Sequence, residues 1–291
     1  AIAVGDFDND GYQDIVTANY NTDNVSILLG NGDGTFQSAV TYGAGDGPYA
    51  PAIGDLNVDG NSDIAVVNDL SNNVSVLLGN GDGTFQAAVN YAVGAYPEWV
   101  SIGYINADSY LDMVTANSDS NNISVLIGDG DGTFQTAINY TVLGEPLEVE
   151  IYDLDNDGDQ DVAVACYSGD NMAILLNNGS GALGAAAYYT AGDGTRAAAV
   201  GDLNRDGAPD IVTGNYINGN NYVTVLLGNG NGTFQGPVNY TSGNDNTRSV
   251  ALIDFNNDGL QDIAVTNYNE GTLSVLLGNG DGTFQTAIEY A

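Results

Sequence analysis

The chain has 291 residues and a formal net charge of −35, with 38 acidic side chains, three arginines, no lysine and no histidine. This charge disfavours binding to nucleic acid or to anionic membrane surfaces, and no apolar run is long enough to insert into a membrane. The missing histidine and lysine exclude Ser-His-Asp and Cys-His catalysis, lysine Schiff bases and histidine-bound zinc. A hydrophobic content of 43% is enough for a sizeable core, and all-β folds reach this length as one domain.

One nine-residue pattern, D-x-[DN]-x-D-G-x-x-D, dominates the chain. It occurs intact at Asp6–Asp14, Asp55–Asp63, Asp153–Asp161, Asp202–Asp210 and Asp254–Asp262, and in altered form at Tyr104–Asp112. A second pattern, G-N-G-D-G-T-F-Q or a close variant, follows each copy, with Leu183 replacing phenylalanine in the fourth. The first pattern recurs every 49 to 52 residues, a period typical of repeat arrays, solenoids and propellers.

The period predicts a single domain over residues 1–291, divided into the repeats 1–49, 50–98, 99–147, 148–196, 197–248 and 249–291. Each repeat is expected to form four short strands, because β-branched runs alternate with Gly, Asn and Asp. In the first repeat these strands are residues 1–4, 14–18, 25–29 and 39–42. Four strands per repeat are typical of a propeller blade. The predicted fold class is therefore an all-β, six-bladed β-propeller with four antiparallel strands per blade.

The aspartate pattern predicts calcium-binding loops. Calcium takes about six to eight hard oxygen ligands, and side chains at positions 1, 3, 5 and 9 with the carbonyl at position 7 supply them. Glycine at position 6 permits the turn. Tight turns alone would explain the glycines, but not three or four clustered carboxylates that repel one another without a cation. An EF-hand would need glutamate at position 12, where this chain has a strand residue such as Thr17.

The predicted metal ligands are Asp6, Asp8, Asp10, Tyr12, Asp14, Asp55, Asn57, Asp59, Asn61, Asp63, Asp153, Asp155, Asp157, Asp159, Asp161, Asp202, Asn204, Asp206, Ala208, Asp210, Asp254, Asn256, Asp258, Leu260 and Asp262. About five calcium ions are expected. The third loop, Tyr104–Asp112, lacks the first aspartate and has Ser109 in place of glycine, so it is predicted to be empty or weak. Arg205, at position 4 of its loop, is predicted to be solvated.

Two further features are interpreted as structural. The second pattern carries at most one carboxylate in most copies, so it is predicted to be a hairpin turn whose phenylalanine fills space between blades. Cys166 lies where the other repeats have asparagine. It is predicted to be a buried and unreactive thiol.

The whole chain resembles the FG-GAP/VCBS repeats of integrin α-chain head propellers and of many secreted bacterial and fungal proteins. The loop Asp6–Asp14 carries the resemblance, which extends over all six repeats. It implies calcium-bearing blades and a secreted or cell-surface location. Family members include adhesion heads, lectin-like sugar binders and appendages of polysaccharide-processing enzymes, although the integrin heads and related fungal lectins have seven blades. Residue 1 already opens a predicted strand, so no signal peptide is expected in this chain.

Ligands are expected on the face opposite the metal loops, where the connections vary most. The candidates there are Tyr49, Glu98, Trp99, Arg196 and Arg248. In one interpretation the two arginines bind a carboxylate or sulfate while Trp99 or Tyr49 stacks on a sugar or aromatic group. In the other, the arginines only neutralise nearby acids, namely Glu98, Glu145, Glu148 or Glu150.

Two functional hypotheses follow. The first is a calcium-stabilised, extracellular, monomeric binding or adhesion propeller that recognises a glycan or protein and is not an enzyme. The alternative is a passive structural or engineered repeat module, or an accessory domain of a polysaccharide-processing enzyme. No catalytic residue is predicted. A pair among Glu98, Glu148 and Glu150 is the remaining route to glycosidase chemistry.

Overall fold

The chain folds as a six-bladed all-β propeller, with six antiparallel sheets of four strands paired in chain order. The computed structural model describes residues 1–216, 222–243 and 246–291. The undescribed residues lie in the fifth predicted repeat. Among those described, no helix is long and apolar enough to cross a membrane. The strands fall into two compact units, Ala1–Thr141 and Val142–Ala291.

Each unit contains three blades. The strands of the first unit are β1 (Ile2–Gly5), β2 (Asp14–Asn19), β3 (Asn24–Leu28), β4 (Val40–Gly43), β5 (Pro48–Gly54), β6 (Asp63–Asn68), β7 (Asn73–Leu77), β8 (Val89–Ala92), β9 (Pro97–Gly103), β10 (Asp112–Asn117), β11 (Asn122–Leu126) and β12 (Ile138–Thr141). Those of the second are β13 (Pro146–Tyr152), β14 (Asp161–Cys166), β15 (Asn171–Leu175), β16 (Ala187–Thr190), β17 (Thr195–Gly201), β18 (Asp210–Asn215), β19 (Tyr222–Leu226), β20 (Val238–Thr241), β21 (Thr247–Ile253), β22 (Asp262–Asn267), β23 (Thr272–Leu276) and β24 (Ile288–Tyr290).

The second strand of every blade begins at the position-9 aspartate of its loop. The predicted strands of the first repeat agree with the observed ones to within one residue at each end. This agreement arises because Gly, Asn and Asp end the β-branched runs in every repeat. The aspartate loops therefore lie at one end of each blade, and the hairpins between second and third strands lie at the other.

Aromatic rings fill the space between neighbouring blades within each unit. Phe85 meets both Phe7 and Tyr42 edge to face, with centroids 5.4 Å apart in each pair. The same contact joins three later pairs, Tyr91–Phe134, Tyr189–Phe234 and Tyr240–Phe284. Leu183 is 8% exposed, the same as Phe134. The predicted filling role of the second pattern is confirmed for Phe85, Phe134, Phe234 and Phe284, whereas Phe36 of the first copy is 41% exposed.

A buried asparagine ends the second strand of most blades. In the third blade the amide of Asn117 donates to the Ser124 hydroxyl at 2.9 Å, and its Oδ1 accepts from the Thr115 hydroxyl at 2.9 Å. In the second blade the residue equivalent to Thr115 is Val66, and Oδ1 of Asn68 is buried without a hydrogen-bond partner. The unsatisfied acceptor is therefore a direct result of valine at this position.

Val66→Thr is expected to stabilise the protein by about 1 kcal/mol, because the new hydroxyl donates to the orphaned Asn68 Oδ1. Thr115→Val is expected to destabilise the protein by about 1–3 kcal/mol, because it leaves the buried Oδ1 of Asn117 without its hydrogen-bond donor. Urea unfolding measures both changes. Val164→Thr is the matched control, since Cys166 replaces asparagine in that blade, and it is expected to lower stability. Equal effects of the Val66 and Val164 substitutions would contradict this explanation.

Cys166 is fully buried, as predicted. Burial raises the pKa of its thiol to about 12. The thiolate needed for nucleophilic or metal-binding chemistry is therefore scarce at neutral pH.

Candidate metal loops and ligand face

The five intact aspartate loops share one backbone arrangement. The position-1 carboxylate accepts from the position-6 glycine N–H at 2.8–3.0 Å in each of them. In the first loop this glycine is Gly11, whose φ of +86° explains its identity, since no atom lies within 4 Å of an added Cβ. The loop is thus closed by the same aspartate that was predicted to be the first metal ligand.

Two loops bring three carboxylates together. Oxygens of Asp6, Asp8 and Asp14 lie within 4.8 Å of one another, and so do oxygens of their fourth-blade equivalents, Asp153, Asp155 and Asp161. Oδ1 of Asp6 is also buried without a hydrogen-bond partner. Hard oxygens at this spacing suit calcium, and a buried unpaired carboxylate oxygen is costly without a cation or donor. These residues fit the predicted ion.

Crowding of the carboxylates affects their protonation. Partial burial raises the pKa of Asp8 from its ordinary value, and the charges of Asp10 and Asp14 raise it further. The pKa of Asp155 is raised in the same way, first by burial and then by Asp157. A bound cation would oppose these shifts, because it favours the charged form of each carboxylate.

The predicted ligands at positions 5 and 3 of the loops also make hydrogen bonds within the loop. Position-5 carboxylates accept the position-7 backbone N–H at 2.8–2.9 Å in all five intact loops, and they are not part of the acidic triads. In the three intact loops with asparagine at position 3, its amide donates to the position-5 carboxylate at 2.8–3.0 Å. In the two intact loops with aspartate at position 3 the carboxylates at positions 1, 3 and 9 converge, whereas the other three intact loops offer only a neutral side-chain oxygen at position 3.

The position-7 side chains have a role that the sequence interpretation missed. A Cβ added to Gly32 would meet the Tyr12 ring at 2.4 Å, and one added to Gly81 would meet the Asn61 side chain at 2.2 Å. Position 7 thus lies against the second glycine of the second pattern. A side chain at either glycine would clash with the position-7 side chain of the same blade.

The position-9 aspartates join the two patterns within each blade. Asp63 is fully buried, and it accepts from the Leu56 N–H at 2.8 Å and from the Gly79 N–H at 2.7 Å. Asp112 makes the same bonds in the altered third loop, to Ile105 and Gly128. Burial raises the pKa of three of these carboxyls to about 6, those of Asp63, Asp161 and Asp210. Retention of aspartate in the altered loop was the sequence signal for this structural role.

Position-4 side chains connect neighbouring loops within each unit. The Asn9 amide donates to Asn61 Oδ1 at 2.9 Å, and the Asn156 amide donates to the Gly207 carbonyl at 3.2 Å. Arg205 was predicted to be solvated, and it is exposed, but its guanidinium also donates to the Gly259 carbonyl of the next loop. The prediction for Arg205 is therefore incomplete, because its long side chain reaches the adjacent turn.

The predicted ligand residues lie at β-bulges, at the blade ends away from the aspartate loops. The pairing of first and second strands skips one residue at Glu98, Arg196 and Arg248, and it skips two at Tyr49. A bulge changes the direction of the side chain whose residue is left out of the strand pairing. Trp99 and Tyr49 pack against the core of the first unit. The five residues thus divide between two units.

In the second unit the arginines stack on tyrosines. The Arg196 guanidinium carbon lies 5.4 Å from the centroid of Tyr216, and that of Arg248 lies 6.0 Å from Tyr216 and 5.2 Å from Tyr268. The two rings meet at 5.8 Å. The sequence interpretation assigned stacking on the ligand to Trp99 or Tyr49 and named no aromatic partner for the arginines, whereas the structure places the arginines against Tyr216 and Tyr268. We call these four residues the arginine–tyrosine ladder.

Two glutamates of β13 lie near the ladder. Burial and the charge of Glu150 raise the pKa of Glu148 well above its ordinary value, and the positive charge of Arg196 partly opposes this. Arg196 is therefore within electrostatic range of Glu148, as the neutralising interpretation expects. Burial raises the pKa of Glu150 to about 7.

Glu150→Gln is expected to stabilise the protein above pH 7. The pKa of Glu150 is higher in the folded than in the unfolded state, so its ionised form costs stability above pH 7, and this cost disappears as the pH falls towards 4.5. We expect a gain of about 1–2 kcal/mol at pH 8, less than the full pKa shift implies, because the side chain is only half-buried. Unfolding at pH 4.5 and 8 measures it. The exposed Glu289→Gln is the control, and an equal gain there would assign the effect to net charge.

Comparison with known proteins agrees with the repeat pattern. The model of the FG-GAP-like repeat family matches residues 6–66, 55–115, 104–164, 153–213, 215–265 and 254–291. No curated protein sequence matches the chain significantly.

Solved structures share the fold at low identity. An Agrocybe aegerita lectin that recognises non-reducing terminal N-acetylglucosamine is 20% identical, with a TM-score of 0.66 over 99% of this chain and 79% of its own. A candidate 6-phosphogluconolactonase of Bacteroides fragilis is 14% identical, with a TM-score of 0.72 over 99% and 83%. BBS1N, solved in complex with ARL6DN, is 12% identical, with a TM-score of 0.65 over 99% and 80%. Because the family matches span all six blades, the chain belongs to the FG-GAP-like repeat family.

Proposed function

We propose that this protein is a calcium-stabilised, non-catalytic binding propeller that acts outside the cell. The observation that carries the proposal is the pair of acidic triads, one of which includes the buried and unpartnered Asp6 Oδ1. Bound calcium would supply the positive charge that these carboxylates lack. Asp6, Asp8 and Asp14 would hold it in the first loop, with equivalent residues in the other intact loops.

The binding role follows from how the blades differ. Their metal-loop ends are built from repeated sequence, whereas the opposite ends carry residues that change from blade to blade, such as Glu98 and Arg248. Variable side chains on a rigid scaffold are typical of ligand-binding surfaces. The structural neighbours include a sugar-binding lectin and a propeller bound to another protein, which supports a glycan or protein ligand.

A non-catalytic role is proposed despite the lactonase-like neighbour. The chain has no histidine or lysine, so catalysis would depend on carboxylates, tyrosines or arginines. An extracellular location fits a protein that needs calcium, because extracellular modules use sites of about 10⁻⁴–10⁻³ M affinity.

Counting bound metal tests the calcium proposal. Equilibrium dialysis of the whole chain is expected to give about five calcium ions, and Asp6→Asn with Asp8→Asn is expected to remove one of them. Asp108→Asn in the altered third loop is the control and should remove none. Binding of fewer than one ion, or equal binding of magnesium, would overturn the proposal. A screen of immobilised glycans with calcium and with EDTA then tests recognition, and a featureless result would favour the passive structural alternative.

A further inference from the structure

We propose that the arginine–tyrosine ladder, Arg196, Tyr216, Arg248 and Tyr268, binds an anionic sugar through its carboxylate or sulfate group. This deepens the proposed binding function and rests on it. The ladder lies at the blade ends away from the metal loops, so its ligand and the calcium ions use separate surfaces.

Backbone geometry places the two arginines in equivalent positions. Arg196 is the residue skipped between the paired Thr195 and Ala197, and Arg248 is skipped between Thr247 and Ser249. Each tyrosine directly follows the second strand of the same blade. The fifth and sixth blades therefore contribute one arginine and one tyrosine each, in the same arrangement, and a bulge directs each arginine out of its sheet.

Stacking prepares the arginines to bind an anion. A guanidinium over an aromatic ring uses its flat face, whereas its N–H donors point outward in the plane of the group. Bidentate hydrogen bonds to carboxylate or sulfate use those edges. Tyrosine thus limits the motion of each arginine without competing for the same atoms, which lowers the entropic cost of binding.

Charge placement supports an anionic ligand. Two of the three positive side chains in a chain of net charge −35 contact the same ring, that of Tyr216. Two positive charges beside one ring repel each other. Glu148 offsets part of this repulsion through its attraction to Arg196, and a bound carboxylate or sulfate would offset more. Most other charged side chains of the protein are acidic. An anionic ligand is therefore repelled less at the ladder than at most other parts of the surface.

A sugar is favoured over a simple anion by the neighbouring surface. Arg248 and Tyr268 line a depression of about 570 Å³, together with polar and aromatic side chains including Thr272 and Tyr290. This volume is within the range of small-molecule sites, about 300–1,000 Å³. Tyr268 is 56% exposed and Tyr290 is 53% exposed. Their rings offer apolar faces for the carbon face of a sugar, and their hydroxyls offer hydrogen bonds.

Titration calorimetry with defined oligosaccharides tests the ladder. We expect binding of tetragalacturonate or of a heparin-derived tetrasaccharide, and none of maltotetraose, which is neutral. The first two probes distinguish carboxylate from sulfate recognition. Arg196→Gln with Arg248→Gln is expected to weaken binding by about tenfold or more, because charged hydrogen bonds are lost. Tyr268→Leu should weaken it as well.

Arg205→Gln is the matched control, since it removes the same charge at the opposite end of the blades. The inference is overturned if neither acidic probe binds, if maltotetraose binds equally, or if Arg205→Gln weakens binding as much as the double substitution. The calcium-dependent unfolding midpoint of the same proteins separates the two proposals. If calcium raises the unfolding midpoint but no acidic sugar binds, only the proposed ligand site at the ladder is refuted. If calcium leaves the midpoint unchanged, the proposed calcium-stabilised function is refuted.

Discussion

Asp112→Ala is expected to destabilise the protein by about 3–5 kcal/mol, with or without calcium. The carboxylate is fully buried, and its Oδ2 accepts from the Ile105 N–H at 2.8 Å while its Oδ1 accepts from the Gly128 N–H at 2.8 Å. Alanine leaves both buried donors without an acceptor and detaches the aspartate loop from the glycine turn. Each unsatisfied donor costs about 1–3 kcal/mol, and a small cavity adds to the loss.

The third loop separates this structural role from metal binding, because it is the loop predicted to be empty or weak. Urea unfolding of Asp112→Ala should show the same loss in calcium and in EDTA. Asp63→Ala, in an intact loop, should show a larger loss in calcium than in EDTA. Asp108→Ala is the local control, because its side chain is exposed, and it should cost less than about 1 kcal/mol. A loss at Asp112 below that value would refute the structural role of the position-9 aspartates.

The sequence was sufficient to predict the blades and their strands. Each strand lies between Gly, Asn and Asp residues that recur at one period, and the position-9 aspartate begins the second strand in all six blades. Local turn chemistry and a repeated spacing therefore determined the fold class. The convergence of Asp6, Asp8 and Asp14 was also predictable, because alternate positions of one tight loop point to one centre.

Contacts between elements could not be predicted in the same way. Tyr216 meets Arg196 only because the bulged pairing of β17 with β18 brings residues 20 positions apart together. The sequence interpretation placed Arg196 and Tyr49 at the same position of the repeat and assigned stacking on the ligand to Trp99 or Tyr49, so it named no aromatic partner for Arg196. It also missed the two backbone N–H bonds of each position-9 aspartate, since a metal role already accounted for the residue type.

Calcium is expected to raise the thermal unfolding midpoint strongly, and magnesium much less. An ion that binds only the folded state adds about 2.7 kcal/mol per site at a free concentration 100-fold above its dissociation constant. Several such sites would change the stability of a domain by an amount comparable with its whole unfolding free energy. Magnesium requires near-octahedral geometry and shorter bonds, which these loops of mixed carboxylate, amide and carbonyl oxygens do not favour.

Substitution in single loops shows where this stabilisation arises. Asp8→Asn and Asp155→Asn each remove one charge from an acidic triad, so each is expected to lower the midpoint in calcium and to raise it slightly in EDTA, where repulsion among the remaining carboxylates is relieved. Asp33→Asn is the control, because this exposed aspartate lies in a glycine turn, where its carboxylate accepts hydrogen bonds from Thr35. Its effect should be independent of calcium. Opposite signs in calcium and EDTA would arise from a cation bound among the carboxylates, whereas equal shifts in both would show that the aspartates act only as turn formers.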